Sequence, residues 1–182
     1  MRKIVSGMFI SLDGVVDGLE VWHFPLFNDE MGHVIDAMVS QADAALFGRK
    51  TFEEFAGYWP NHEGDDKDFA DFINGIQKYV VSSSLESTDW QNSTILSGDL
   101  KEEITALKQL PGKNINMTGS GTLVRGLLRE NLLDELQLLV HPVLAGSGMR
   151  LFDGLDVQRN LTLVEARPLS NGVLHLTYRA SE

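Results

Sequence analysis

Three short runs carry residue types that can hold phosphate groups. Gly48-Arg49-Lys50-Thr51 follows the apolar run Ala44-Ala45-Leu46-Phe47, and Thr51-Phe52-Glu53-Glu54 has the Thr-x-x-Glu spacing that opens a helix with a capping box. A strand-to-helix turn leaves backbone N–H groups free at the positive end of the helix dipole, which favours an anion such as a pyrophosphate. Thr51 adds a hydroxyl, and Arg49 adds a charge-assisted contact to a further phosphate. The same residues equally suit a plain turn with a helix cap. Gly119-Ser120-Gly121-Thr122 repeats the situation between Ile115–Thr118 and a helix carrying Leu123, Val124, Leu127 and Leu128, with glycines that let a phosphate approach the main chain. It is not a Rossmann fingerprint, because Val124 stands where the third glycine belongs and the run lies late in the chain. Ser82-Ser83-Ser84 follows the strand pattern Lys78–Val81 and offers hydroxyl donors; a simple serine-rich turn has the same appearance.

Other chemistries find less support. The chain has no cysteine, which excludes disulfides, cysteine-ligated zinc and thiol catalysis. His23, His33, His62, His141 and His175 show no metal-ligand spacing, so surface or core roles are expected for each, and no Gly-x-Ser-x-Gly elbow is present. The acidic stretch Glu63–Asp71, with Asp65, Asp66 and Asp68, lacks the ligand spacing of an EF-hand and reads as a solvated loop.

The elements that must position these runs follow from periodicity and punctuation. Lys3–Leu12 is a largely apolar stretch of strand length, ended by Asp13-Gly14. Gly18–Asn28 is an aromatic-rich loop leading to a helix over Asp29–Ala42, with Asn28 as its N-cap and Asp29 and Glu30 in its first turn. Strands are expected at Ala44–Phe47, Lys78–Ser82, Thr94–Leu96 and Ile115–Thr118, and a helix over Leu100–Leu110 stopped by Pro111-Gly112. Asn131 is expected to close the helix after Gly121. In the last third, Leu136/Leu138/Val140, Leu161/Leu163 and Leu174/Leu176/Tyr178 alternate as strands, with Asn171-Gly172 as a hairpin turn. Strand-helix alternation ending in an antiparallel hairpin predicts an α/β fold: a mixed, mostly parallel central sheet with flanking helices.

A length of 182 residues with 43% hydrophobic and 23% charged residues suits one domain spanning 1–182. No apolar run reaches the roughly 20 residues of a bilayer helix, and the run after Arg2-Lys3 reads as the first strand rather than a signal peptide, so a cytoplasmic location without membrane contact is expected. The net charge of -11 argues against a nucleic-acid surface and requires any phosphorylated ligand to be held by local groups.

Taken together, these runs resemble the dihydrofolate-reductase-like superfamily. Gly48–Glu53 resembles its pyrophosphate and 2′-phosphate loop, Ser82 and Ser83 its second 2′-phosphate contact, and Gly119-Ser120-Gly121-Thr122-Leu123 its second cofactor turn. Ser11-Leu12-Asp13-Gly14, Leu133-Asp134-Glu135-Leu136 and Pro142-Val143-Leu144-Ala145-Gly146 are closer to a sister family, the reductase domain of the riboflavin-biosynthesis deaminase-reductase (RibD C-terminal-like). That resemblance implies a three-layer fold, NADPH as cofactor, a homodimer, and reduction of the ribosyl group of a phosphorylated aminopyrimidine such as 5-amino-6-(5-phosphoribosylamino)uracil. The zinc-bearing deaminase half has no counterpart in a cysteine-free chain of this length. A pterin reductase and a non-catalytic NADP-binding module are the alternatives. Reduction of a carbonyl or imine needs a proton, which a carboxyl group supplies when burial raises its pKa. Asp29, near the place where dihydrofolate reductases keep their carboxylate, is the candidate acid, and Asp13 is its rival.

Overall fold

Between the charged pair Arg2-Lys3 and the Asp13-Gly14 turn, β1 (Ile4–Ser11) is buried on both faces, as a central strand of a mostly parallel sheet must be. A computed structural model describes residues 1–64 and 66–180; Asp65 lies outside the described residues. One turn, α1 (Leu19–Trp22), and a 3₁₀ turn (Phe24–Leu26) precede α2 (Asp29–Ser40), and β2 (Ala42–Gly48) runs directly into α3 (Arg49–Tyr58). Then come α4 (Lys67–Gly75), β3 (Gln77–Val81), β4 (Ser93–Leu96), α5 (Leu100–Gln109), β5 (Asn114–Thr118), α6 (Gly121–Arg129), β6 (Glu135–His141), β7 (Leu161–Pro168) and β8 (Leu174–Ala180). The eight strands form one sheet in the order β4-β3-β2-β5-β1-β6-β8-β7. The six strands from β4 to β6 are parallel, and the β7–β8 hairpin is added antiparallel beside β6.

Strand alternation sends side chains to two faces. Ile4, Met8, Ile10, Leu46, Ile115 and Met117 pack beneath α5 and α6 through Ile104, Leu107, Val124 and Leu127. On the other face, Leu139 meets Met31 and Val34 of α2, while Phe47 and Val80 meet Phe52 of α3 and Ile73 of α4. No helix among the described residues is long and apolar enough to cross a membrane.

Several local expectations hold. The Asn28 side chain accepts from the Met31 N–H at 3.0 Å and caps α2. Asn131 adopts a left-handed φ of 57° just after the C-cap of α6, and Gly172 turns the β7–β8 hairpin. Others are corrected. The helix after Asn28 stops at Ser40, because Ala42 already pairs with Asn114 in the sheet. The Gly18–Asn28 loop contains two helical turns. Glu63–Asp71 is not a loop throughout: α4 begins at Lys67, since Ala70 and Ile73 bury one side of it and Lys67 pairs with Asp71 at 2.8 Å on the other. The ammonium of Lys78 then holds the end of α4, donating to the Ile73, Asn74 and Ile76 carbonyls at 2.9, 3.1 and 2.8 Å. Helix α3 starts at Arg49, with Gly48 as N-cap and no side-chain cap, so the Thr51 capping box does not form.

Candidate functional site

Six parallel strands end on the same edge of the sheet, and the three phosphate-compatible runs follow three successive neighbours in it: β3, β2 and β5. The turns after β2 and β5 are joined directly. Gly48 N–H donates to Ser120 Oγ at 2.9 Å, while Ser120 N–H and Ser120 Oγ donate to Thr51 Oγ1 at 3.1 and 2.8 Å. This is why Thr51 caps nothing locally: both its lone pairs are taken by Ser120, and its own proton is the donor left over. Gly119 has φ +63°, and a Cβ there would stand 3.0 Å from Thr51 Cγ2, so a glycine is needed for this close approach. Ser120 itself holds a left-handed φ of 56°, rare for a residue with a side chain, and its three hydrogen bonds maintain it. Helices α3 and α6 thus begin side by side, both without side-chain caps, and their first-turn N–H groups and positive dipole ends face the same edge.

Around this pair, Lys50 is exposed and Arg49 is half-exposed, bridging to Glu53 at 2.8 Å. An exposed i,i+4 pair contributes little, so an anion of higher charge can draw the Arg49 guanidinium away at small cost. Ser82 and Ser83 follow Val81, which pairs with Gly48 across β3 and β2. Ser82 is buried and its Oγ accepts from the N–H groups of Ser84 and Leu85 at 3.2 and 2.9 Å, a turn-shaping role; Ser83 is exposed. Thr122 is exposed and accepts from Arg125 at 3.0 Å, and Leu123 faces the core, so each offers the site its backbone N–H.

On the other side of α6, the Asp13 carboxylate accepts from Ser11 Oγ at 2.6 Å and from the N–H groups of Ala145 and Gly146 at 2.9 and 2.8 Å. The hydrogen bond from Ser11, followed by those from Ala145 and Gly146, lowers Asp13 from 3.8 to about 2. Asp17 repeats the clasp on Met149 N–H at 2.9 Å, and Gly148 must be glycine, with φ +124° and Asp17 Oδ1 2.2 Å from where a Cβ would stand. Two aspartates therefore strap residues 143–150 onto 12–17, forming a wall beside the α6 start. Val16 and Met149 of this wall, with Leu151 next to it, approach Gly121.

Neither candidate acid has the surroundings that the role requires. Asp13 is held as an anion and shapes two loops. Asp29 is exposed in the first turn of α2, without the burial that an acid at neutral pH depends on. Its neighbour Glu30 is engaged instead, accepting from Ser170 N–H at 2.8 Å and from Arg167 at 3.3 Å.

The structure assembles a pair that sequence spacing leaves apart. His23 Nδ1 lies 3.0 Å from His141 Nε2, and His141 Nδ1 lies 2.8 Å from the Leu139 carbonyl. Both rings are buried, at 2% and 0% exposure, among Phe9, Trp22, Phe24 and Phe27. Burial lowers both imidazoles, and the neighbouring His141 adds to the effect on His23, which falls to about 4; at neutral pH the pair is uncharged. With the two 118 positions apart in the chain, their proximity leaves no periodic signal in the sequence; the aromatic run Trp22–Phe27 is the local sign of an enclosed place.

The family model for the RibD C-terminal domain matches residues 2–175. The chain is 32% identical to the uncharacterized protein YyaP of Bacillus subtilis, over 97% of this chain and 94% of that one. Among solved structures it superposes on a Shewanella sp. PV-4 protein whose name assigns it to riboflavin biosynthesis, with a TM-score of 0.80, 18% identity and full coverage of both chains. It also superposes on a diaminohydroxyphosphoribosylaminopyrimidine deaminase/5-amino-6-(5-phosphoribosylamino)uracil reductase from Thermotoga maritima, with a TM-score of 0.69, 15% identity, and coverage of 99% of this chain and 57% of that one.

Proposed function

The chain belongs to the RibD C-terminal domain family, a reductase-like family, and on that footing we propose that it is an NADPH-dependent reductase acting on a small heterocyclic substrate, akin to 5-amino-6-(5-phosphoribosylamino)uracil. The observation that carries this reading is the Gly48–Ser120–Thr51 junction, which brings two uncapped helix starts together at one sheet edge. Backbone N–H groups at Gly48–Thr51 and Gly121–Leu123 suit a pyrophosphate, the spare Thr51 proton suits one of its oxygens, and Arg49, Lys50 and Ser83 suit a 2′-phosphate. Bound NADPH supplies the hydride. The chain's own part is to orient the reactants, with the 12–17 and 143–150 loops and the aromatic run 22–27 keeping water from the reacting faces.

Titration with NADPH and NADP, followed through Trp22, Trp59 and Trp90 fluorescence, tests this reading. Saturation at micromolar concentration is expected, and no binding of either at millimolar concentration overturns it. A second reading, an NADP-binding module without turnover, is favoured by one observation: Asp13 is clasped as an anion and Asp29 is exposed, so neither carboxyl is set up as an acid. NADPH oxidation with aminopyrimidine, pterin and simple carbonyl panels separates the two, since tight binding without oxidation of cofactor by any of them selects the module.

A further inference from the structure

His23 is the buried titratable group at this sheet edge that the cofactor reading leaves unused. Its ring stacks on Phe9 with centroids 3.8 Å apart and planes 23° from parallel. Phe9 stands two residues beyond the Gly7–Thr118 pair of β1 and β5, toward the edge where the turn containing Ser120 begins. The stack therefore lies at the same carboxyl edge of the sheet, on the face that α2 covers.

The hydrogen bonds fix which nitrogen carries the proton. A carbonyl only accepts, so His141 Nδ1, 2.8 Å from the Leu139 oxygen, bears hydrogen. The neutral His141 ring then presents a lone pair at Nε2, and His23 Nδ1, 3.0 Å away, donates to it. That leaves His23 Nε2 as a lone pair. It has no protein partner among the described residues, yet it is not one of the sealed, unpartnered side-chain atoms, which are Ser6 Oγ and Asn116 Oδ1. A residue only 2% exposed thus leaves its one unpaired polar edge unsealed, and the rings of Phe24 and Phe27, which are 61% and 48% exposed, lie 5.0 and 5.8 Å from its own.

We propose that His23 Nε2 is the acceptor through which this site selects a flat heterocycle presenting a ring N–H, and that His141 is the positioning residue that fixes the His23 tautomer. The proposal rests on the reductase reading above and adds to it the edge by which the substrate is recognised. The aromatic rim of Phe24 and Phe27 contacts the ring faces, and the imidazole pairs with the N–H at the ring edge. A ligand that puts a methyl group there instead leaves a desolvated lone pair unpaired, which is the strongest form of discrimination a small pocket has. Burial and the facing His141 keep His23 uncharged at neutral pH, so the edge accepts and does not repel.

The test uses the full chain saturated with NADP, ¹⁵N-labelled, with 5,6-diaminouracil as the probe and 1,3-dimethyl-5,6-diaminouracil as the comparison without ring N–H groups. The expected result is a His23 Nδ1–H tautomer in the wild type, whose Nε2 resonance moves when 5,6-diaminouracil binds. Affinity for that probe is expected to fall at least about tenfold in His23→Phe, which keeps a ring on Phe9, and on methylation of the probe. NADP affinity should not change in either case. In His141→Gln the tautomer preference should be lost. An Nε2–H tautomer in the wild type overturns the proposal whether or not the variants fold. So does unchanged probe affinity in His23→Phe, and so does a wild type that binds NADP but neither uracil. Failure to bind NADP or NADPH overturns the reductase reading instead, and the tautomer and probe measurements on the free protein then still decide the role of His23.

Discussion

The Ser120 hydroxyl stands 2.8 Å from the Thr51 hydroxyl and also accepts from Gly48 N–H, so the turns after β5 and β2 are a single hydrogen-bonded unit. Replacing Thr51 by valine keeps its shape and removes the acceptor of two bonds. At a net worth of about 0.5–1.5 kcal/mol each, the loss should be about 1–3 kcal/mol in stability. Because the two turns lose their mutual alignment, NADPH and NADH should weaken alike, by about tenfold. Thermal melts and fluorescence titrations with both cofactors check the two effects.

Arg49 should behave differently from Thr51. Its partner Glu53 is exposed, so the guanidinium is free to turn to the phosphate that NADPH has and NADH lacks. Arg49→Ala is expected to weaken NADPH by roughly ten- to a hundredfold, the worth of a hydrogen bond to a charged group, and NADH little. Equal losses for both would assign Arg49 to the pyrophosphate or to α3 itself.

The carboxylates of the 12–17 loop predict a stability effect and no acid limb. Asp13 is lowered to about 2 in the folded chain against 3.8 ordinarily, so its contribution is fully present above pH 3.8 and is lost as pH falls through 2. Asp13→Asn should melt earlier at pH 7 and lose less stability between pH 4 and 2 than the wild type. Its turnover, measured below its melting temperature, should keep the wild-type pH profile. Asp29→Asn should retain full turnover and lose about 0.3–1 kcal/mol of helix-dipole stabilisation. A profile that loses one limb in either variant would restore that residue as the proton donor.

The buried histidine pair sets a different limit. The folded-state value of His23 is depressed to about 4 from 6.5, so the unfolded chain binds more protons between these values and stability declines as pH falls from 6.5 towards 4. On the linkage scale the decline is on the order of 3 kcal/mol for a group this buried. Urea midpoints at pH 7, 5.5 and 4.5 should show it in the wild type, and His23→Phe should flatten the slope.

How much of this was legible in the sequence depended on range. Asn28, Asn131 and Gly172 act on backbone groups within a few residues, so residue type and position sufficed. The turns at Gly48 and Gly119 were legible because each interrupts an apolar strand pattern just before a helical one. Thr51 misled for the opposite reason: its local spacing matched a capping box, but Ser120, 69 residues away, competed for the hydroxyl and won. Asp13 was recognised as a turn residue, while its partners Ala145 and Gly146 lie 132 and 133 residues on. The His23–His141 pair needed strand register, since β6 must lie beside β1 before Ser11 and His141 become neighbours.

The last expectation concerns assembly. Strand β7 forms the outer edge of the sheet and is exposed along nearly its whole length. At the hairpin, Val173 is sealed against Met31 and Leu139 beneath α2, whereas Leu174 is 42% exposed. Leu163 of β7, opposite Tyr178, stands open at 51% on the same face as Leu174. A long edge strand with exposed leucines is an aggregation hazard unless another surface covers it. A second copy of this chain is the expected cover, in keeping with the dimers that the resemblance implies, and a two-fold pairing would bring the same leucines together from both sides. Light scattering at micromolar concentration should give a dimer. The double substitution Leu163→Glu and Leu174→Glu, which places like charges on both copies, should give a folded monomer with unchanged circular dichroism. A wild-type monomer at that concentration, or a double variant that stays dimeric, would rule out this face.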